Sequence, residues 1–167
     1  MLGKPEYGWS TFKIGESHSY SLSYLTDVAC DWLAQAIHGL QTLEPFAVHG
    51  YCEPNRMICL VSYYSCYVIF EPDGGISEES KCKEMYGVDL TMLDFCKALH
   101  ADINRDLEEW VDWNLIGLEE DDDDEVMEEN RKVLDERRKH IKDQLAELER
   151  LIHEKEEWWT KPYYCFF

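Results

Sequence analysis

The apolar residues of this chain switch repeatedly between a spacing of two and a spacing of three to four, and that alternation constrains the fold more than any other feature. A spacing of two suits a half-buried strand, because successive side chains leave opposite faces of the pleated backbone, whereas a spacing of three or four lines up one stripe of a helix. From His18 to Tyr24, the residues Tyr20, Leu22 and Tyr24 alternate with Ser19, Ser21 and Ser23. Trp9, Phe12 and Ile14 precede them, and Gly15-Glu16-Ser17 supplies a turn, so residues 7–24 are predicted to form a β-hairpin. Val28, Trp32, Leu33, Ala36, Ile37 and Leu40 then step by three and four behind Thr26 or Asp27 as a cap, which predicts a helix ending near Leu43.

Pro45 ends that helical pattern. Phe46–Glu53, Arg56–Tyr63 and Cys66–Glu71 are runs of β-branched and aromatic residues, parted by Glu53-Pro54-Asn55 and by Tyr64-Ser65, and they predict three antiparallel strands. Pro72-Asp73-Gly74-Gly75 is a turn, with a short edge strand expected around Lys81–Met85. From Leu90 onward Leu93, Cys96, Leu99, Ile103, Leu107 and Trp110 restore the helical period over about six turns. Met127, Leu134, Ile141 and Leu148 recur every seven residues, with Leu145, Ile152 and Trp159 as a companion row, so residues 124–158 are predicted to be a helix with a coiled-coil-like seam. The predicted class is α+β: an N-terminal β-hairpin, a helix, an antiparallel β-meander and two long helices. Residues 1–116 are read as the core domain and 117–125 as an acidic linker. Residues 126–160 are read as a charged helix packing on or extending from the core, and 161–167 as an aromatic tail.

Thirty-five acidic residues against sixteen basic ones leave a net charge of −19. Such a field repels nucleic-acid phosphates and anionic lipid headgroups, which argues against direct nucleic-acid binding and against a membrane surface as partner. No run of about 18 apolar residues is present, and Met1–Lys13 lacks the basic start and apolar stretch of an export signal, so the expected location is cytoplasmic. Glu119–Glu129 holds nine acidic residues and no basic one, whereas Asn130–Phe167 holds nine basic and eight acidic, so the excess charge lies upstream of the last helix.

The seven cysteines are odd in number and none lies in a Cys-x-x-Cys pair, which points to reduced thiols without a local zinc site. Cys52, Cys59 and Cys66 recur at intervals of seven, a spacing that would bring them together on adjacent strands. Nucleophile-elbow, phosphate-loop, dinucleotide and zinc-protease signatures are missing from the sequence. No catalytic residue, cofactor or metal ligand is therefore assigned. An enzyme or metal-dependent hydrolase remains as an alternative, built from dispersed cysteines, histidines and carboxylates, with His38, His49 and His100 meeting Cys30, Cys66 or Cys96 in space.

Asp102, Asp106, Glu109 and Asp112 stand three or four apart on the second long helix, and Asp121, Asp122, Asp123 and Asp124 form an unbroken run beyond it. Six tryptophans and ten tyrosines are many for a domain of this size, and Tyr51, Tyr63, Tyr64 and Tyr67 can form a patch on one sheet face. These features lead to a non-enzymatic interaction module in which the eight carboxylates meet a basic protein surface. In charge and size the chain resembles immunity proteins and nuclease inhibitors, including phosphate-backbone mimics; no sequence motif accompanies that likeness. The second alternative is a homo-oligomeric structural protein, a helix-mediated homodimer instead of a monomer, paired through Ile141, Leu145, Leu148 and Ile152.

Overall fold

The computed structural model describes residues 1–16, 18–71, 84–113 and 124–159. Strands β1 (Trp9–Phe12) and β2 (Tyr20–Ser23) form the expected hairpin, antiparallel with Phe12 opposite Tyr20. Phe12 and Leu22 are fully buried, and the Phe12 ring stands edge-on to Trp32 at 5.3 Å. The first residues of the chain run alongside β1, where the Gly3 N–H donates to the Thr11 carbonyl at 2.8 Å.

Helix α1 (Val28–Thr42) begins where Asp27 accepts the Cys30 N–H at 3.2 Å. It ends where Leu43, at φ 58°, donates to the Gly39 carbonyl at 2.8 Å, a left-handed closure that Pro45 then prevents from continuing. Val28, Trp32, Leu33, Ala36, Gly39 and Leu40 form its buried stripe. Gly39 is there because the next element comes so close: a Cβ at this position would lie 2.2 Å from Cδ1 of Phe46.

Strands β3 (Phe46–Tyr51), β4 (Arg56–Val61), β5 (Cys66–Glu71) and β6 (Glu84–Val88) form an antiparallel meander in that order. Glu84 and Met85 of the expected edge strand lie in β6, and residues 81–83 fall outside the described residues. Phe46, Val61, Cys66 and Val88 stand in one row across the sheet and Val48, Cys59 and Val68 in the row after next, all on the face turned to the core. The hairpin covers the far end of this face, with the Leu22 side chain against Gly50.

Helix α2 (Met92–Arg105) opens on a reciprocal cap, in which Thr91 Oγ1 accepts the Asp94 N–H at 3.1 Å and donates to the Asp94 carboxylate at 2.7 Å. The single six-turn helix read from the sequence is instead two. The backbone leaves helical geometry at Asp106 (φ −113°, ψ 39°), and a short helix α3 (Leu107–Val111) follows. The bend turns Trp110 and Trp113 into the core, where their rings lie 5.1 Å apart and Trp113 Nε1 donates to the Thr26 carbonyl at 2.7 Å.

Helix α4 (Asp124–Trp159) lies across α1, α2 and α3, which makes a third layer outside the sheet and the first helices. Residues 117–123 of the acidic linker and the tail 161–167 fall outside the described residues. Among the described residues no helix is long and apolar enough to cross a membrane. Arg137 joins α4 to the rest: its guanidinium donates twice to the Asp27 carboxylate, once at 2.8 Å, and also to the carbonyls of Val111 at 3.0 Å and Trp110 at 3.3 Å.

Three outcomes follow from this packing. Gly39→Ala should lower the midpoint of thermal unfolding even though alanine is the better helix former by about 1 kcal/mol, because overpacking a core contact costs about 1–3 kcal/mol. Arg137→Met should cost about 3 kcal/mol in denaturant unfolding, since it leaves the partly buried Asp27 carboxylate without its counter-ion. Burial pushes the Asp27 carboxyl up, but the hydrogen bonds and charge of Arg137 hold it below the usual carboxylate value. The pair therefore contributes fully above about pH 4 and its contribution is lost as pH falls through the lowered folded value. The Arg137→Met chain should accordingly lose less stability than the parent on acidification below about pH 4.

Candidate functional site

The carboxylates expected to line one helix face divide into two groups. Asp102 and Asp106 are buried. One Asp102 oxygen accepts the Leu2 N–H at 2.7 Å and lies 3.1 Å from the Met1 amino group, while the other accepts from Arg105 at 2.7 Å. Asp106 takes two further bonds from the same guanidinium, at 2.6 and 3.0 Å. Asp102 holds the first residues of the chain against α2, and Asp106 fixes the Arg105 guanidinium, which also donates to the Leu2 carbonyl at 3.3 Å; both acids are neutralised in these pairs.

Glu109 and Asp112 face outward. Glu109 pairs with Lys4 at 2.7 Å, which holds the glutamate below and the lysine above their ordinary values. Asp112 is exposed and has no ion-pair partner among the described residues. Partial burial and then the like charges of Glu108 and Glu109 push its carboxyl up, against a pull from Arg138, whose own guanidinium is engaged with Glu108 at 2.9 Å.

A tight turn meets this end of α3. Glu6 and Trp9 exchange backbone hydrogen bonds of 2.8 and 2.9 Å, and the two residues between them, Tyr7 and Gly8, have φ of 50° and 77°. Positive φ at both central positions is the requirement of the hairpin turns whose twist matches that of the strands, and it is uncommon for a tyrosine. The turn holds the Tyr7 side chain 98% exposed. Pro5, Glu6, Tyr7, Glu109, Asp112 and Trp113 line a cleft of about 240 Å³, and a second cleft of about 370 Å³ shares Glu6 and Tyr7 with it and is lined also by Lys4, Trp9, Thr11 and Ser21. Carboxylates and aromatic rings in one cleft can take a cation, the carboxylate as hydrogen-bond acceptor and the ring as a negative face.

Asp121–Asp123 lie outside the described residues, and Asp124 opens α4. Ile141, Leu145, Leu148 and Ile152 are buried within the chain's own core, so a second chain can reach that row only if α4 leaves α1 and α2. Tyr51 and Tyr67 stand on the outward face of the sheet, while Tyr63 and Tyr64 occupy the β4–β5 turn with their rings 4.6 Å apart.

The cysteine and histidine pairs considered from sequence are dispersed. Cys66 and Cys96 are buried, with their thiols directed at the carbonyls of Leu90 (3.4 Å) and Ala36 (4.0 Å). Cys30 lies 3.6 Å from Arg137, yet burial and Asp27 push its thiol up to about 12. His38 and His49 are exposed, and His100 is half-buried and pushed down by that burial. Of the three cysteines at intervals of seven, Cys59 and Cys66 do meet, and the hydrogen bond that the Cys59 thiol donates to Cys66, with burial, pushes the Cys59 thiol up. Cys52 sits apart, in a cleft of about 320 Å³ with His18, Asn55, Tyr20 and Phe70. That grouping was invisible in the sequence because hairpin and sheet residues meet there through packing. Burial pushes the Cys52 thiol up too, the opposite of what a nucleophile needs. Among the described residues no group of three His, Cys, Asp or Glu side chains is placed to hold a metal ion.

Comparison with protein-family models, curated proteins and solved structures returned no match, so a functional reading rests on this geometry.

Asp102→Asn should destabilise the chain by about 2 kcal/mol or more in denaturant unfolding, because it weakens three contacts of a buried carboxylate at once. Cys52 should alkylate at pH 8 more slowly than a free thiol, as peptide mass mapping after iodoacetamide treatment would show; faster labelling would mark an activated nucleophile.

Proposed function

We propose that this chain is a non-enzymatic interaction module, of the inhibitor or immunity kind, that receives a basic side chain of another protein in the cleft between the Tyr7 turn and the end of α3. The observation that carries the reading is the presence in one cleft lining of Asp112, with no ion-pair partner among the described residues, and of Tyr7, 98% exposed. An arginine suits both: its guanidinium donates to a carboxylate in its own plane and stacks on an aromatic face. Tyrosine is a frequent anchor of binding energy because it brings a large rigid surface with a polar tip. Glu6 and Glu109 line the same cleft, and with Glu108 and Asp112 they outnumber the nearby cations Lys4 and Arg138, so the local charge steers a basic partner toward it. The same carboxylates suit occupation of a cationic nucleic-acid channel on such a partner, as a mimic of the phosphate backbone. Cys30, Cys52, Cys59, Cys66 and Cys96 are free thiols, which suits a reducing compartment such as the cytoplasm.

The test uses an arginine-rich peptide labelled for fluorescence anisotropy and titrated with the full chain. Binding should weaken steeply as salt rises, and Tyr7→Ala and Asp112→Asn should each reduce affinity by about tenfold. Neutralising Asp121–Asp124 together should lower it further and flatten the salt dependence. Affinity that is indifferent to Tyr7, Asp112 and salt would remove the reading.

A further inference from the structure

We infer that the outward face of the four-stranded sheet is a contact between two copies of this chain. A sheet with one face on the core ordinarily alternates apolar inward with polar outward. Here the register places Ala47, Leu60 and Tyr67 side by side across β3, β4 and β5, and the exposed His49 beside Ile58 and Ile69 in the row after next. Leu60 and Tyr67 are 38% and 37% exposed, and Tyr51, on the same face, 40%. Gly87 opposite Tyr67 adds to the smoothness of this surface: a Cβ there would come within 3.2 Å of the Tyr67 ring, which therefore lies against the β6 backbone. Contiguous apolar surface of this kind marks an interaction site.

Charge identifies the occupant, and area sets the strength of the contact. A chain of net charge −19 repels its own copy wherever carboxylates prevail. On this face Arg56 and Glu71 stand opposite each other and pair, so the field is locally cancelled. A two-fold axis brings a patch against itself, and a patch carrying one guanidinium and one carboxylate is self-complementary: Arg56 can meet the partner's Glu71 while the apolar rows meet each other. A basic protein finds no uncompensated carboxylate among the described residues here, which separates this surface from the acidic cleft. Four strands about 4.8 Å apart, each about 20 Å long, offer roughly 400 Å² per copy, or about 800 Å² in all, below the roughly 1,200 Å² of a standard stable interface. The association is therefore weak and concentration-dependent. It is distinct from pairing through α4, whose apolar row is taken up inside the chain.

Sedimentation equilibrium of the full chain from about 1 µM to about 1 mM, the span such an interface implies, should show the mass rising from 19.8 kDa toward twice that value. Leu60→Arg should return it to the monomer mass, while Ala34→Arg, which adds the same charge at an exposed position of α1, should leave the dimer intact. Hydroxyl-radical footprinting of the unaltered chain supplies a readout independent of any variant's folding: labelling of Tyr51 and Tyr67 should fall with concentration while that of Tyr7 stays constant. A mass of 19.8 kDa throughout the range overturns the inference and leaves the face to a different protein. A dimer that a folded Leu60→Arg chain retains, or labelling of Tyr51 and Tyr67 that ignores concentration, overturns it equally.

Discussion

Asp27 stands where three helices meet, and its carboxylate serves more than one of them. It caps α1 by accepting the Cys30 N–H, and it accepts two bonds from Arg137 of α4. The same guanidinium reaches the carbonyls of Trp110 and Val111, which the end of α3 leaves without helical donors. The Arg137 side chain is 13% exposed, so its charge is balanced largely by this one carboxylate. Above it in the chain, from Met127 to Asp135, α4 exposes most of its side chains; below it, Ile141, Leu145 and Leu148 enter the core. The ion pair thus marks where α4 begins to belong to the domain, and it sets the position of α3, on which the outward carboxylates ride.

From that constraint comes a division of labour among the acids. A surplus of nineteen negative charges suggests a uniformly repulsive surface, yet much of it is spent inside or in pairs. Asp27, Asp102 and Asp106 are structural counter-ions, and Glu147, Glu154 and Glu156 on α4 pair with Arg150, Lys155 and Lys97. Of the acids with no ion pair among the described residues, Asp112 stands at the end of α3 beside a tyrosine raised on a tight turn, while Asp31, Glu44, Glu136 and Asp143 are exposed elsewhere. The sheet's outward face is different in kind, apolar and locally neutral. Two surfaces with opposite physical requirements therefore coexist on one small domain.

Much of the fold was legible because its signals are local. The Asp27 cap, the stripe from Val28 to Leu40 and the break before Pro45 locate α1 to within a residue or two, and turn chemistry separates β3, β4 and β5. The break at Asp106 was not legible: periodicity ran straight through it, and its cause is the burial of Trp110 and Trp113 against a distant segment. Nor did alternation reveal that β1 buries Ser10 and Phe12 while Trp9 turns outward. The candidate site was half legible. Glu109 and Asp112 stood out as surface acids, but Asp102 and Asp106 looked identical to them, and nothing local singled out Tyr7.

By itself the sequence determined the order of helices and strands, the sign of the field around the molecule and which stripe of each element is apolar, because these depend on neighbours a few residues apart. The tertiary structure alone decided which acids remain available and which apolar stripes find cover. Asp102 is buried against the Leu2 N–H 100 residues away, and Asp27 is neutralised by a guanidinium 110 residues away. The apolar row of α4 and the apolar outer face of the sheet read alike in one dimension, yet the first is closed by α1 and α2 and the second stays open. Pairing and burial are settled by chain segments that meet in space, and no local pattern records which segments those will be.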